Sequence, residues 1–524
     1  MKSDILKKKN IIVLLGLLMV AISLIINPDL VKKYFSNDGV ITTIGLRVLT
    51  YYRVILFIIG MIIISNSKIK KFCSIIEKKG FLPKDMFSLL FKLVLIWLGL
   101  YIVFNILLYF DNTLDIPNHF PISIFNFAAT EPGWIYSIPF IFILLCYLKF
   151  NNRFNVIHCW MAGILLLFTG NLLQGGIEKA FIDPFMLGAK QYFHQSQLIG
   201  TSGLEWLSSF NSEQLSFNVH AKTHPPFATL LHYYLFKLVG NNMLLFSLII
   251  SMIVSLSIPL IYYAMREAGI KKNNCGLFSI LFSTIPAFNI YGVVCLDGII
   301  ATTFMLALYG IIRVTMRRGD LYGTIFISLG LVLSNMLTFS GTFLLASIFV
   351  TGTLFHYLNN DSNLIKSYMF AATILLVLVL VFQYNYNYNH FTAFITASKI
   401  ENPSGYFLFA DPINYFITRT ENISEILFFL SFGILAVIIK TFKQSMQTFH
   451  NNSVDLIMLS GIAVVILMFI TGAYKTGETA RACLFIYPYL FLIIRNIPAK
   501  YITSLVALSG IQTFLMQISG SYYW

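Results

Sequence analysis

Long apolar runs separated by short polar stretches extend from one end of this chain to the other. Candidate membrane spans fall near 11–27, 49–65, 87–109, 133–149, 156–174, 241–264, 275–293, 297–312, 321–336, 338–356, 366–383, 424–441, 455–473, 482–496 and 499–516. Most approach or exceed the ~18 apolar residues that take a helix across a bilayer. None shows the apolar–polar alternation over about ten residues that a barrel strand requires, which excludes a β-barrel. The pattern predicts an all-α polytopic membrane protein with about fifteen transmembrane helices. One apolar segment, 226–239, is short: about 21 Å long as a helix, at 1.5 Å per residue. It is expected as a re-entrant or interfacial helix, with Pro225 and Pro226 suiting its first turn.

Composition agrees with this class. The 524 residues are 57% hydrophobic and 11% charged, with a mean hydropathy of +0.77, against about 25% charged in a soluble domain. The net charge of +14 does not point to nucleic acid, because the basic residues sit mostly in short connections, where they fix orientation. Lys7–Lys9, the group from Lys68 to Lys79, Lys149 with Arg153, the stretch Arg266–Lys272, and Arg313, Arg317 and Arg318 are assigned to the cytoplasmic side. Lys7–Lys9 with the first run is expected to be an anchor rather than a cleaved signal. Long loops 175–225 and 384–423, with the short segment 474–481, are then expected outside. Residues 1–150 read as a four-span N-terminal extension and 151–524 as the functional membrane region. The six cysteines have no metal-site spacing.

The remaining polar chemistry concentrates in those outer segments. Phe217–Phe227 reads Phe-Asn-Val-His-Ala-Lys-Thr-His-Pro-Pro-Phe. His220 and His224 are four apart, as in some helical zinc sites, but the diproline disfavours a helix at His224 and no glutamate follows His220. Contacts of His220, Lys222 and His224 with a phosphate or hydroxyl are the functional reading; residues capping an interfacial helix are the bland one. Upstream, Glu178 and Asp183 lie just beyond the span 156–174 and are candidates for a general base, which needs a carboxylate or imidazole in a cleft. Asp297 opens a later span, as helix cap or as site residue. Residues 474–481 read Tyr-Lys-Thr-Gly-Glu-Thr-Ala-Arg. Arg481 there could hold a phosphate bidentately with Glu478 orienting it, or the two could form only a rim salt bridge.

In their order along the chain these elements resemble the GT-C superfamily of glycosyltransferases that use polyprenyl-phosphate sugars, in the branch with protein mannosyltransferases and aminoarabinose transferases. The resemblance covers residues 156–520. It rests on a span, a long loop with acids, His-Pro-Pro at the start of a short helix ending at Gly240, Asp297 at the opening of a span, and the Gly-Glu-Thr-Ala-Arg of 477–481. It implies a GT-C-like bundle and transfer of a sugar, with inversion, from a polyprenyl-phosphate donor to an extracytoplasmic glycan, lipid or protein. It further implies Asp183 or Glu178 as the loop acid, and His224, Lys222 and Arg481 as phosphate contacts. Related members often have an acidic pair ahead of a tyrosine where this chain has Gln191-Tyr192. The expected partners are that donor, the acceptor and membrane lipids, with no nucleic acid and no cofactor; some relatives use a divalent cation, which no acidic cluster here demands. The alternatives are a polymerase or ligase of the O-antigen kind and a transporter or flippase of lipid-linked glycans.

Overall fold

The computed structural model describes residue 19 and residues 83–127, 133–150, 154–186, 192–200, 202–472, 474 and 477–522. Apart from residue 19, the expected spans 11–27 and 49–65 lie outside the described residues. The chain forms two compact units, Met1–Phe120 and Pro121–Trp524. Among the described residues of the first, a helix runs from Lys84 to Phe110. It stops where the Asp111 carboxylate turns back to accept from the Thr113 amide and hydroxyl, at 3.0 and 2.6 Å. Phe104 stacks on Phe120 with ring centroids 4.1 Å apart.

Among the described residues eight helices are long and apolar enough to cross a membrane, or up to nine if one bent pair is a single span. The protein is thus all-α and multi-pass, and no count of about fifteen spans follows from these residues. Three of the expected spans are shorter apolar helices, Val156–Leu172, Leu321–Leu337 and Leu484–Asn496. The stretch 226–239 is a helix, Pro226–Val239, ended by Gly240 at φ 62°.

At the middle of the second unit lies helix Leu296–Arg317, buried along most of its length. It reverses through Arg318 and Gly319, at φ 53° and 95°, into helix Leu321–Leu337, whose N-cap Asp320 accepts from the Gly323 amide at 2.6 Å. Small residues let the two backbones approach. A Cβ on Gly310 would lie 2.6 Å from the Gly323 carbonyl oxygen, and one on Gly330 would lie 2.6 Å from that of Thr303.

Two expected spans are broken, and side chains occupy the breaks. The span 275–293 is two helices, Lys272–Ser283 and Pro286–Tyr291. The carbonyl of Thr284 at the break accepts from the hydroxyls of Ser509 and Thr513, at 2.6 and 2.7 Å, on helix Ala499–Ser519. Asn289 donates to the Ser283 carbonyl at 3.0 Å and accepts from Gln517 at 2.9 Å. Irregular backbone at membrane depth persists only when its polar groups find such partners. The expected span 424–441 bends by 106° between helices Pro412–Phe429 and Phe432–Thr448, with Ser431 at φ 87° in the corner.

The segments expected as long loops are largely helical. Residues 175–225 hold helices Asp183–Met186, Tyr192–Gln197, Gly203–Glu213 and Val219–Lys222. Residues 384–423 hold the end of Asn363–Tyr386, then His390–Glu401, Phe407–Ala410 and the start of Pro412–Phe429. Their polar residues interrupt the apolar pattern, so sequence alone reads them as loop. In the fold many of those residues are buried against backbone.

Candidate active site

A cavity of about 540 Å³ opens among these segments of the second unit. Its walls come from the turn into helix Leu296–Arg317, from Phe185 and Tyr192, from the residues before Pro225, from residues 338–342, from helix His390–Glu401, and from Tyr474, Glu478 and Arg481. His220, His224, Asp297, Glu478 and Arg481 all line it. Five of the eight candidate residues therefore converge here from three separate stretches of sequence.

Arg481 is the charged centre. It is buried, its guanidinium pairs with Glu478, and its Nε lies 3.4 Å from an Asp297 oxygen. Asp297 takes part from the first turn of its helix, where the dipole favours an acid. Burial alone would lower the pKa of Arg481, but the carboxylates of Glu478 and Asp297 outweigh it and hold the group firmly cationic. Burial also raises the Glu478 carboxyl, and Arg481 offsets that rise in part.

The segment bearing Glu478 and Arg481 is held from behind. Arg419, Asn422 and Glu425 recur at three-residue steps and so share one face of helix Pro412–Phe429. Arg419 donates to the carbonyls of Phe469, at 2.9 Å, and Tyr474. Asn422 donates to the Tyr474 carbonyl at 2.7 Å and accepts from the Thr479 hydroxyl at 2.6 Å. The fully buried Glu425 accepts from the amides of Thr479 and Ala480, at 2.7 and 3.3 Å, and from the Ser123 hydroxyl at 2.8 Å. Ser123 in turn accepts from the Glu478 amide. These bonds hold Tyr474 and Glu478 at φ 58° and 56°. Such left-handed non-glycine positions cost about 1–3 kcal/mol each and persist only where the surroundings over-determine them.

Two histidines of the cavity are uncharged. His224 uses its Nδ1 on the His220 carbonyl at 3.1 Å, and His232 uses its Nδ1 on the Ala228 carbonyl at 2.8 Å. Burial lowers both to about 4, so both rings are neutral near pH 7. Tyr192 packs on His220, His224 and His232, with ring centroids 5.8, 5.3 and 5.4 Å away.

Three expected residues lie elsewhere. Glu178 and Asp183 do not line the cavity. They bracket a single π-helical turn, Glu178–Ile182, in which Lys179 and Asp183 meet at 3.2 Å, while Pro184 and Phe185 face the cavity instead. Lys222 is also absent from the lining; the four-residue helix Val219–Lys222 presents His220 there. Among the described residues no group of three or more His, Cys, Asp or Glu has the arrangement of a metal site.

Several lining residues escaped the sequence reading as site residues: Tyr192, His232, Ser340, Glu401 and Tyr474, whose hydroxyl lies 2.5 Å from that of Ser340. Glu401 ends helix His390–Glu401 inside an expected loop, and its acid was the available signal. Comparison with models of known protein families, with curated proteins and with solved structures finds no match.

Proposed function

We propose that this chain is a membrane glycosyltransferase that takes a sugar from a polyprenyl-phosphate donor and passes it, with inversion, to an acceptor on the extracytoplasmic face. The observation that carries the reading is the convergence of the His-Pro-Pro stretch, Asp297 and the Gly-Glu-Thr-Ala-Arg segment on one cavity of a membrane-helix bundle. A cavity of this size holds a sugar and a phosphate, which suits the 300–1,000 Å³ usual for small-ligand sites.

In this reading Arg481 binds the donor phosphate, its planar fork being suited to two oxygens at once. Glu478 and Asp297 orient it. The acceptor hydroxyl loses its proton to a cavity carboxylate, and its oxygen attacks the anomeric carbon. The bond from that carbon to the phosphate oxygen breaks with its electron pair on the phosphate. Arg481 meets the growing charge, the kind of electrostatic stabilisation that often dominates. Glu401 is the base we favour, because it lines the cavity and Asp183 does not. The neutral histidines contribute no charge to phosphate binding.

The test is transfer of radiolabelled sugar from polyprenyl phosphate in membranes containing the full chain. Arg481→Ala should lower the rate about 10²–10³-fold, the loss seen when one transition-state donor is removed. Glu401→Gln should also be severely impaired, and Asp183→Asn should retain most activity. Absence of transfer above membranes lacking the chain, across hexose and amino-sugar donors, would sink the reading.

A further inference from the structure

We propose that His224 and His232 form a hydroxyl-reading wall in this cavity, their Nε2 atoms accepting hydrogen bonds from O–H groups of a bound sugar. The inference rests on the glycosyltransferase reading and adds to it the chemistry of one wall.

Ring geometry carries the argument. A neutral imidazole has one N–H and one bare nitrogen, and the partner of one fixes the state of the other. A carbonyl oxygen can only accept. The carbonyls of His220 and Ala228 at the two Nδ1 atoms, at 3.1 and 2.8 Å, therefore place the protons on Nδ1. That leaves Nε2 of each ring as an acceptor. Among the described residues no hydrogen bond reaches either Nε2, and His232 is 3% exposed while both rings line the cavity. A bare acceptor nitrogen on a cavity wall is matched by a ligand that supplies a donor. A phosphate oxygen cannot, since it is itself an acceptor. Hydroxyls can, and a sugar carries several. Tyr192, packed against both rings, fixes their planes.

The cavity is thus divided by chemistry. Arg481 offers donors to an anion, and the histidine wall offers acceptors to hydroxyls. A ligand with a phosphate at one end and a ring of hydroxyls at the other satisfies both.

The experiment uses the full chain in lipid nanodiscs, with nitrogen-15 histidine spectra assigned through His224→Gln and His232→Gln. Before ligand, each ring should show a protonated Nδ1 and a bare Nε2. The probes are polyprenyl phosphate, a polyprenyl-phosphate hexose and a free oligosaccharide. Movement of the Nε2 signals with the hexose-bearing lipid assigns the hydroxyls to the donor. Movement with the oligosaccharide alone assigns them to the acceptor glycan, and supports this inference even if the lipid-phosphate reading fails. Bare polyprenyl phosphate should move neither. In binding measurements His224→Leu should weaken the responding sugar probe about 3–10-fold, the worth of one net hydrogen bond, and His224→Gln should recover much of that. A protonated Nε2 at the outset, tight binding of a sugar probe with no change at either Nε2, or no binding of any sugar probe overturns the inference. Equal weakening of bare polyprenyl phosphate by His224→Leu also overturns it, since that marks a structural effect.

Discussion

Replacing Glu425 by alanine is the sharpest test of how the Arg481 segment is held. The side chain is fully buried and accepts the amides of Thr479 and Ala480, at 2.7 and 3.3 Å. Those two residues open the short helix Thr479–Ala482, where first-turn amides have no intrahelical partner. Alanine leaves both donors without an acceptor in a closed space. At about 1–3 kcal/mol for each orphaned group, the expected loss is ~2–6 kcal/mol, a large part of the 5–15 kcal/mol that holds a typical fold. Glu425→Gln keeps one acceptor oxygen but turns an amide group toward the other donors, so it should fall between parent and alanine. Denaturant titration in mixed micelles reads the stability. Because Ser123 and Glu425 together hold the strained Glu478, sugar transfer should fall with the alanine variant as well. A Glu425→Ala protein within ~0.5 kcal/mol of the parent, the range of ordinary surface changes, would refute the reasoning.

Acid should destabilise the fold through its buried histidines. Burial lowers His224, His232 and His390 to about 4, whereas the unfolded chain takes up these protons near pH 6.5. The unfolded state therefore binds more protons, and stability falls as pH drops from about 6.5 to 4, by at most ~3 kcal/mol per ring. A His224→Gln, His232→Gln, His390→Gln variant should show a flatter stability–pH curve over that window, and an unchanged slope would count against it. Gly330→Leu should destabilise the central helix pair by several kcal/mol through overpacking, since its Cβ alone would meet the Thr303 carbonyl at 2.6 Å; thermal unfolding in detergent checks this. Ser509→Ala combined with Thr513→Val removes both hydroxyls from the Thr284 carbonyl, with an expected loss of about 1–3 kcal/mol readable in the same titration.

Much of the lining of this cavity was legible in the sequence. His220, His224, Asp297, Glu478 and Arg481 stand out because ionisable residues are rare beside membrane-length apolar runs, and all five reach one cavity. Asp183 was equally conspicuous yet turns toward Lys179. Which side of a helical turn faces a cavity depends on its packing, and a π-helical turn shifts that register by a residue. Glu401 was one acid among several in the segment 384–423, and Tyr192 stood out only beside Gln191; only packing brings both to the cavity.

By itself the sequence determined the class of the fold, because burying so much apolar surface in a membrane requires helices whose backbone bonds close locally. Residue types and spacing also marked where polar chemistry gathers. Only the tertiary structure decided where spans break and which polar residues are buried. The break at Thr284 depends on hydroxyls over 200 positions away, and the strained segment at Arg481 depends on Arg419, Asn422 and Glu425. A hydrogen bond between distant stretches leaves no periodic trace along the chain. It exists only once packing brings its donor and acceptor together.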